Sequence, residues 1–497
     1  MLYETEYSLD KARQTVLLEW LENALLPFVF EGKVMQMVRG REIARSYSAS
    51  VPGAKILISA MELTDIIKFA DFSSLRIAIA ANMNCILREL YQTAAVSNLS
   101  AINRLFAETK GKSYVKNNCY RQYGAIDKAV YTYNDFTMAL SMSLNRTYKF
   151  ECMNGENLKG WFASDGMTYY YTKGNDYFDD MFWPTVDPYK LPGTTVSEKK
   201  RTDGDNPDYL TAITFAGGVT DGKNGVSAML LDSYNSTLSA KKSWFCMDGK
   251  IAALGSGITA DDSACVKTTV DNRIVSNKVN VVSDNGKITK STQLTNAKYV
   301  SIRDGNVCMS FCFPKGGNIS VIDEVRTGKW SDISKIETDE LYEKRYLTLL
   351  FNHGTEPRGA DYEYIVLPGY SKENAEKFAK LPDIVVLENS QSIHSVYSKA
   401  SSTTGIVFFE ACKFNLFYCD SPAAVLWQET ENGFTLSLSD PAQQKNEIVF
   451  EIDGEYEKTD MINNRVRLSY ENNKTKIFFN VKDMTGTGIT LNLIRRD

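Results

Sequence analysis

The sequence predicts an α+β multidomain protein, with a helical N-terminal part, a large antiparallel β region and a smaller C-terminal β sandwich. Three observations carry that reading. Apolar residues recur at helical spacing in roughly the first hundred positions. Alternating β-branched and aromatic runs separated by Gly, Asn and Asp fill the remainder, and this β texture restarts after Pro382.

In KARQTVLLEWLENALL the residues Val16, Leu17, Trp20, Leu21 and Leu25 recur at three- and four-residue steps, and Pro27 ends the pattern. Apolar runs at 54–69, 75–91 and 99–107 predict helical hairpins, either a small bundle or the last helices of a larger array. Between the first two runs lies QMVRGREIARSYS, with Arg39, Arg41 and Arg45. If helical, it projects Arg41 and Arg45 from one face. Such a pair of guanidinium groups can grip a carboxylate or sulfate bidentately; the plainer reading is a solvated face with Glu42 as partner.

After Lys110-Gly111 the chain changes to runs such as AVYTYND, FTMALSMSL, YLTAITFAGGV and YVSIRDGNVCMSFCF, which predict antiparallel strands. The helix-like SKENAEKFAKL precedes Pro382. RVRLSYENNKTKIFFNV reads as a hairpin around Asn472-Asn473. The expected domains are therefore 1–112, 113–382 and 383–497.

Within the β region, residues 151–196 crowd two Trp, five Tyr, several Phe and three Asn into one segment punctuated by Gly, Asp and Pro. That is poor helix material and good material for a shaped surface. Aromatic faces among amide and carboxylate groups suit a sugar chain, whose CH faces are apolar and whose hydroxyls need paired partners. A Tyr-rich β core with long loops is the alternative.

The bulk properties bound the function. At 497 residues the chain is long enough for about three domains, and 43% hydrophobic with 24% charged residues fits a folded protein with little disorder. A net charge of −5 attracts no polyanion to the molecule as a whole, so a polyanionic ligand needs a local basic groove. No basic, aromatic-interleaved patch of nucleic-acid type is present, and no run of about 18 apolar residues predicts a membrane span. Met1 opens without a basic and apolar leader, so no export signal is visible. Nine scattered Cys without paired spacing read as free thiols. With two His, His353 and His394, a His-rich metal centre is not expected, and Asp176, Asp179 and Asp180 offer only a weak calcium candidate. GSGI at 255–258 lacks the context of a dinucleotide fingerprint and reads as a turn after IAAL.

Four segments, MVRGREIARSYS, NGENLKGWFASDGMTYYY, DDMFWPTVDPYKLPGTTV and LSAKKSWFCMDGKIAALGSGI, together resemble polysaccharide lyase family 8, which includes hyaluronate, chondroitin AC and xanthan lyases. They agree with it in order and approximate spacing. The resemblance implies an N-terminal α/α toroid, a central antiparallel β super-sandwich and a C-terminal β sandwich. It also implies cleavage of an acidic polysaccharide by β-elimination, leaving a 4,5-unsaturated uronate, with no required cofactor and an extracellular or periplasmic location.

By that resemblance the RGRxxxR arginines fall on Arg41 and Arg45, which would orient a Tyr and contact the uronate. The ExxN motif falls on Glu151 and Asn154, which would reach into the cleft. Trp161, Trp183 and Asn157 occupy motif positions as substrate-binding candidates, with core packing the favoured alternative for both Trp. The family's remaining Asn, His and Tyr belong to toroid sequence upstream of RGRxxxR, and neither His353 nor His394 matches their motif; nor does anything around Tyr3 and Tyr7. Most of the toroid is therefore expected to be missing. The chain is then an incomplete gene, the partner of a separate toroid chain, or a carbohydrate-binding β protein without catalysis.

Overall fold

The computed structural model describes residues 9–67, 71–205, 209–459 and 464–496, so Tyr3 and Tyr7 lie outside the described residues. The first helix, Lys11–Trp20, is capped by Asp10, whose carboxylate accepts the Arg13 N–H at 2.9 Å. Pro27 does not stop the run abruptly. The helix loosens into a π turn at Leu21–Leu25 and tightens into a 3₁₀ turn at Leu26–Phe28, and only at Val29 is the chain extended.

Helices Ser50–Ile66, Ser73–Cys85, Leu87–Thr93 and Val96–Thr109 follow. Leu57, Met61, Ile79, Met83, Ile102 and Leu105 form their shared core. The second expected helix is broken at Ile86, which takes φ −130° and ψ 36°. The first begins earlier than its apolar periodicity, because Pro52 sits in the first turn, where its missing N–H costs no helical bond.

The β region starts at Cys119. Strands Cys119–Tyr123, Lys128–Tyr133, Phe136–Ser141 and Met167–Thr172 form an antiparallel meander. A twelve-stranded antiparallel sheet follows, with its longest strands at Thr292–Asp304, Val307–Lys329, Leu341–Thr355 and Arg358–Pro368. After helix Lys372–Lys380, a seven-stranded and a five-stranded sheet enclose Phe408, Trp427, Leu436, Phe450, Phe479 and Leu491. Asn472 and Asn473 both take positive φ, 52° and 57°, as a two-residue hairpin turn that follows the strand twist requires. The GSGI segment is not a turn. It continues strand Lys250–Thr259, and the register slips between Gly255 and Ile258 opposite Arg358–Pro368, which makes it a bulge.

Most of the aromatic segment at 151–196 is interior. Strand Met167–Thr172 is covered on both faces, so Tyr169 and Tyr171 enter one core cluster while Tyr170 enters another. The cluster holding Tyr169 and Tyr171 also takes Phe28, Phe30, Met37 and Ile43 from the N-terminal part, and thereby joins helical region to β region.

His394 is fully buried, its ring nitrogens 2.7 Å from Ser243 Oγ and 2.8 Å from Ser256 Oγ. Burial, helped by Lys241, pushes its pKa down to about 3. The unfolded chain therefore binds a proton that the folded chain refuses, and the stabilisation, full above about pH 6.5, is lost as pH falls toward 3. We expect the difference in unfolding free energy between wild type and His394→Gln to shrink across that window by a few kcal/mol. Denaturant titrations at stepped pH check this, and a difference independent of pH would contradict it.

Candidate active site: two arginines on one buried carboxylate

The segment carrying the arginines is not an α-helix. It forms 3₁₀ turns at Gln36–Val38 and Gly40–Ala44, and Arg45 is already extended at φ −107°, ψ 140°. Met35, Met37, Ile43 and Ala44 point into the aromatic core and fix the turns from below. Gln36 is the polar anchor: its N–H donates to Tyr171 Oη at 3.0 Å, and its Oε1 accepts from Trp183 Nε1 and Arg39 Nη1, each at 3.2 Å. Arg39 is 8% exposed and lies against the Tyr47 ring, so it belongs to the scaffold.

Arg41 and Arg45 converge through a common acceptor. Arg41 Nε donates to Glu156 Oε2 at 2.8 Å; Arg45 Nε donates to Oε1 at 2.8 Å, and its Nη2 to Oε2 at 3.2 Å. The Glu156 carboxylate is buried. Arg41 also holds Glu151, whose Oε2 accepts the Arg41 N–H at 2.9 Å while Oε1 accepts from Nη1. Arg45 Nη1 donates to Glu42 at 3.2 Å and lies 3.4 Å from the Tyr47 hydroxyl. The plain partner Glu42 is thus present beside the shared carboxylate. Gly40 makes the arrangement sterically feasible, since it sits at φ 57° and a Cβ there would lie 2.2 Å from Glu151 Oε2.

The acidic side comes from a compact turn. Asn154, Gly155 and Asn157 take φ of 58°, 77° and 62°, and the Glu156 N–H donates to the Met153 carbonyl at 3.0 Å. The turn is hooked to a second loop, where the Lys335 N–H donates to Gly155 O at 2.9 Å and the Leu158 N–H to Ile333 O at 3.0 Å. Asn157 is buried and its Nδ2 donates to the Glu151 carbonyl at 2.8 Å, so its amide holds the turn. Asn154 and Glu151 are exposed on the rim.

Trp161 and Trp183 are each 7% exposed and pack in the aromatic core, Trp161 against Phe162 and Tyr189 and Trp183 against Phe182. Neither face is open to a sugar ring. Neither His bonds to a residue of the arginine cluster. His353 Nε2 lies 2.8 Å from Thr268 Oγ1, and burial pushes this His down to about 4.

Electrostatics keep the cluster ionised. The bonds from Arg45, and then from Arg41, hold the Glu156 carboxyl below the usual range against the effect of burial. The bonds to Glu156 raise both guanidinium groups, Arg41 with a further contribution from Glu151. Burial, then Glu42, raises the Tyr47 phenol. The calcium candidates are otherwise engaged: Lys33 pairs with Asp179 at 3.2 Å and Asp176 at 3.8 Å, and Lys344 pairs with Asp180 at 2.7 Å. Among the described residues no group of three or more His, Cys, Asp or Glu is placed to hold a metal.

Comparison with known families places the chain by its domains. The polysaccharide lyase family 8 super-sandwich domain matches residues 118–379, its C-terminal beta-sandwich domain 385–449 and its N terminal alpha-helical domain 1–76. The chain belongs to polysaccharide lyase family 8. The match over 1–76 corrects the expectation that most of the helical domain is missing, because the family's N-terminal domain is itself matched there. A hyaluronate lyase of Thermasporomyces composti is 32% identical over 87% of this chain and 57% of its own length. The Paenibacillus xanthan lyase structure superposes with a TM-score of 0.93 at 28% identity, over 100% of this chain and 49% of that one. A Streptomyces coelicolor A3 chondroitin AC lyase in complex with chondroitin sulphate gives 0.88 at 27%, over 100% of this chain and 67% of that one. The chain spans about half the length of the curated relatives it matches.

Glu156 is the residue that the sequence reading passed over. Glu156→Gln leaves a buried site with two guanidinium groups and no charge to share, and should cost about 2–4 kcal/mol in denaturant unfolding. Glu151→Gln, at an exposed pair, should cost less than about 1 kcal/mol. Equal costs would overturn the assignment of Glu156 as the clamp.

Proposed function

We propose that this chain supplies the arginine clamp and the β-domain wall of a polysaccharide lyase cleft, acting on a uronic-acid-containing polysaccharide by β-elimination. The observation that carries this reading is the pair Arg41 and Arg45, set on the buried Glu156 beside the exposed Asn154 and Glu151. Relatives named hyaluronate, xanthan and chondroitin lyases support the substrate class.

The chemistry explains the residue types. The uronate C5 proton is weakly acidic, so its removal needs a base and a site that stabilises negative charge spreading onto the carboxylate. As that proton leaves, the C4–O bond to the next sugar breaks, the C4–C5 double bond forms and the departing oxygen takes a proton. Arg41 and Arg45 remain charged at any working pH and can hold the uronate by paired N–H bonds. Their own carboxylates differ in mobility: Glu156 is locked in the interior, while Glu151 is 45% exposed in its side chain. Glu151 is therefore the partner that yields when a uronate arrives, and Glu156 keeps both guanidinium groups oriented throughout. Asn154 offers an amide on the same rim.

Neither His353, bonded to Thr268, nor His394, buried between Ser243 and Ser256, is in contact with the arginine cluster, so neither is assigned as the base. By the family resemblance, a His and a Tyr of the helical domain carry the proton transfers. The step requires no cofactor. No helix among the described residues is long and apolar enough to cross a membrane, and a polysaccharide substrate places the work in an extracellular or periplasmic space.

Incubation with hyaluronan, chondroitin sulfate and xanthan tests the reading through the ultraviolet absorbance of the conjugated uronate product. The chain is assayed alone and with an added helical fragment carrying the family's His and Tyr. Signal in either arm supports a lyase; no signal in both, with glycan binding retained, would leave a carbohydrate-binding protein. Arg41→Ala should lower any turnover by about 100-fold or more, with a stability loss smaller than that of Glu156→Gln because Arg45 still pairs with both Glu156 oxygens. A collapse in stability would assign that arginine to structure alone.

A further inference from the structure

Away from the arginines, the hairpin of strands Asn280–Ser283 and Gly286–Ile288 stands beside helix Lys372–Lys380, and an open groove of about 700 Å³ lies between them. Its floor includes Val282, Tyr299 and Ala379. Lys287, Lys298, Lys372 and Lys380 all line it and all are exposed, against two acids, Asp284 and Glu376.

Those acids are already committed. Glu376 accepts from Lys380 at 2.8 Å, and Asp284 accepts the backbone N–H of Lys298 at 3.0 Å. Lys298 Nζ donates only to the neutral Asn296 amide, at 3.1 Å. Lys287 and Lys298 are seen in no ion pair among the described residues, while Lys372 lies within electrostatic reach of Glu373 and Glu376 without a direct pair. The groove thus brings four exposed ammonium groups together against two lining carboxylates in a chain of net charge −5. The comparably sized depression lined by Lys33, Lys344 and Arg345 is different, since each of those cations is paired, with Asp179, Asp180 and Asp323.

We propose that this groove is a second binding site for an acidic sugar chain, one that grips carboxylate or sulfate groups with Lys287, Lys298 and Lys372 and performs no chemistry. This rests on the proposed lyase reading for the class of ligand. The volume suits a short oligosaccharide, the apolar floor suits sugar CH faces, and flexible ammonium groups suit a polymer that slides. None of the groove residues belongs to the arginine cluster, so the two sites are distinct.

Calorimetric titration of the full chain with size-defined hyaluronan and chondroitin sulfate oligosaccharides tests the groove. Wild type, Lys287→Gln/Lys372→Gln and Arg41→Gln are compared. Two classes of binding are expected. The lysine double variant should weaken one class about fivefold and flatten its salt dependence, while Arg41→Gln affects the other. Hyaluronan binding as strongly as chondroitin sulfate assigns carboxylate recognition; preference for chondroitin sulfate assigns sulfate recognition. Wild-type affinity in the double variant would overturn the groove and leave the lyase reading intact. Equal binding of single-stranded DNA, lost in the double variant, would overturn the glycan assignment. No binding of either glycan to any form would sink the groove and the lyase reading together.

Discussion

Two guanidinium groups closed on one buried carboxylate set the geometry around which the rest of the chain is arranged. A carboxylate in the interior is tolerable only while its charge is paired and its lone pairs are filled, and Arg41 and Arg45 do both for Glu156. The helical part and the β region each bring one half of that arrangement. Separating them would strand a charge out of water, so the junction has a specific register as well as an apolar one. The absence of a side chain at Gly40 and the left-handed turn at Asn154–Asn157 are the local conditions that let the halves meet.

Beneath this polar contact lies the aromatic cluster, and the two depend on each other. The rings of Tyr171, Phe178, Phe182 and Trp183 pack with Met35, Met37 and Ile43, which positions the 3₁₀ turns that present the arginines. A site proposed to orient a uronate within fractions of an ångström benefits from a support this rigid. The exposed residues, Glu151 and Asn154, are left free to respond to a ligand. Rigidity below and exchangeable contacts above suit the proposed lyase cleft.

Local patterns in the sequence disclosed much of this architecture, and the failures share one physical origin. The helical periodicities, the antiparallel runs and the Asn472-Asn473 hairpin depend on neighbours in sequence and were legible. The conformation of residues 36–45 was not, because Gln36, Ile43 and Ala44 answer to partners more than a hundred positions away. For Trp161 and Trp183 core packing was the favoured reading, and both indoles lie in the aromatic cluster. Glu156 stood inside a recognised motif, yet its role follows from burial, which spacing does not reveal. The GSGI bulge was misread for a related reason: only the opposing strand shows that the chain continues past the glycines.

The decisive measurement is a crystal structure of this chain with a bound acidic tetrasaccharide. The uronate carboxylate should lie within hydrogen-bond distance of Arg41, with Glu151 displaced, Asn154 in contact with the sugar and Glu156 still accepting from both arginines. An oligosaccharide bound elsewhere with the arginine–Glu151 contact intact, or a uronate that draws the arginines away from Glu156, would contradict the role assigned to the clamp.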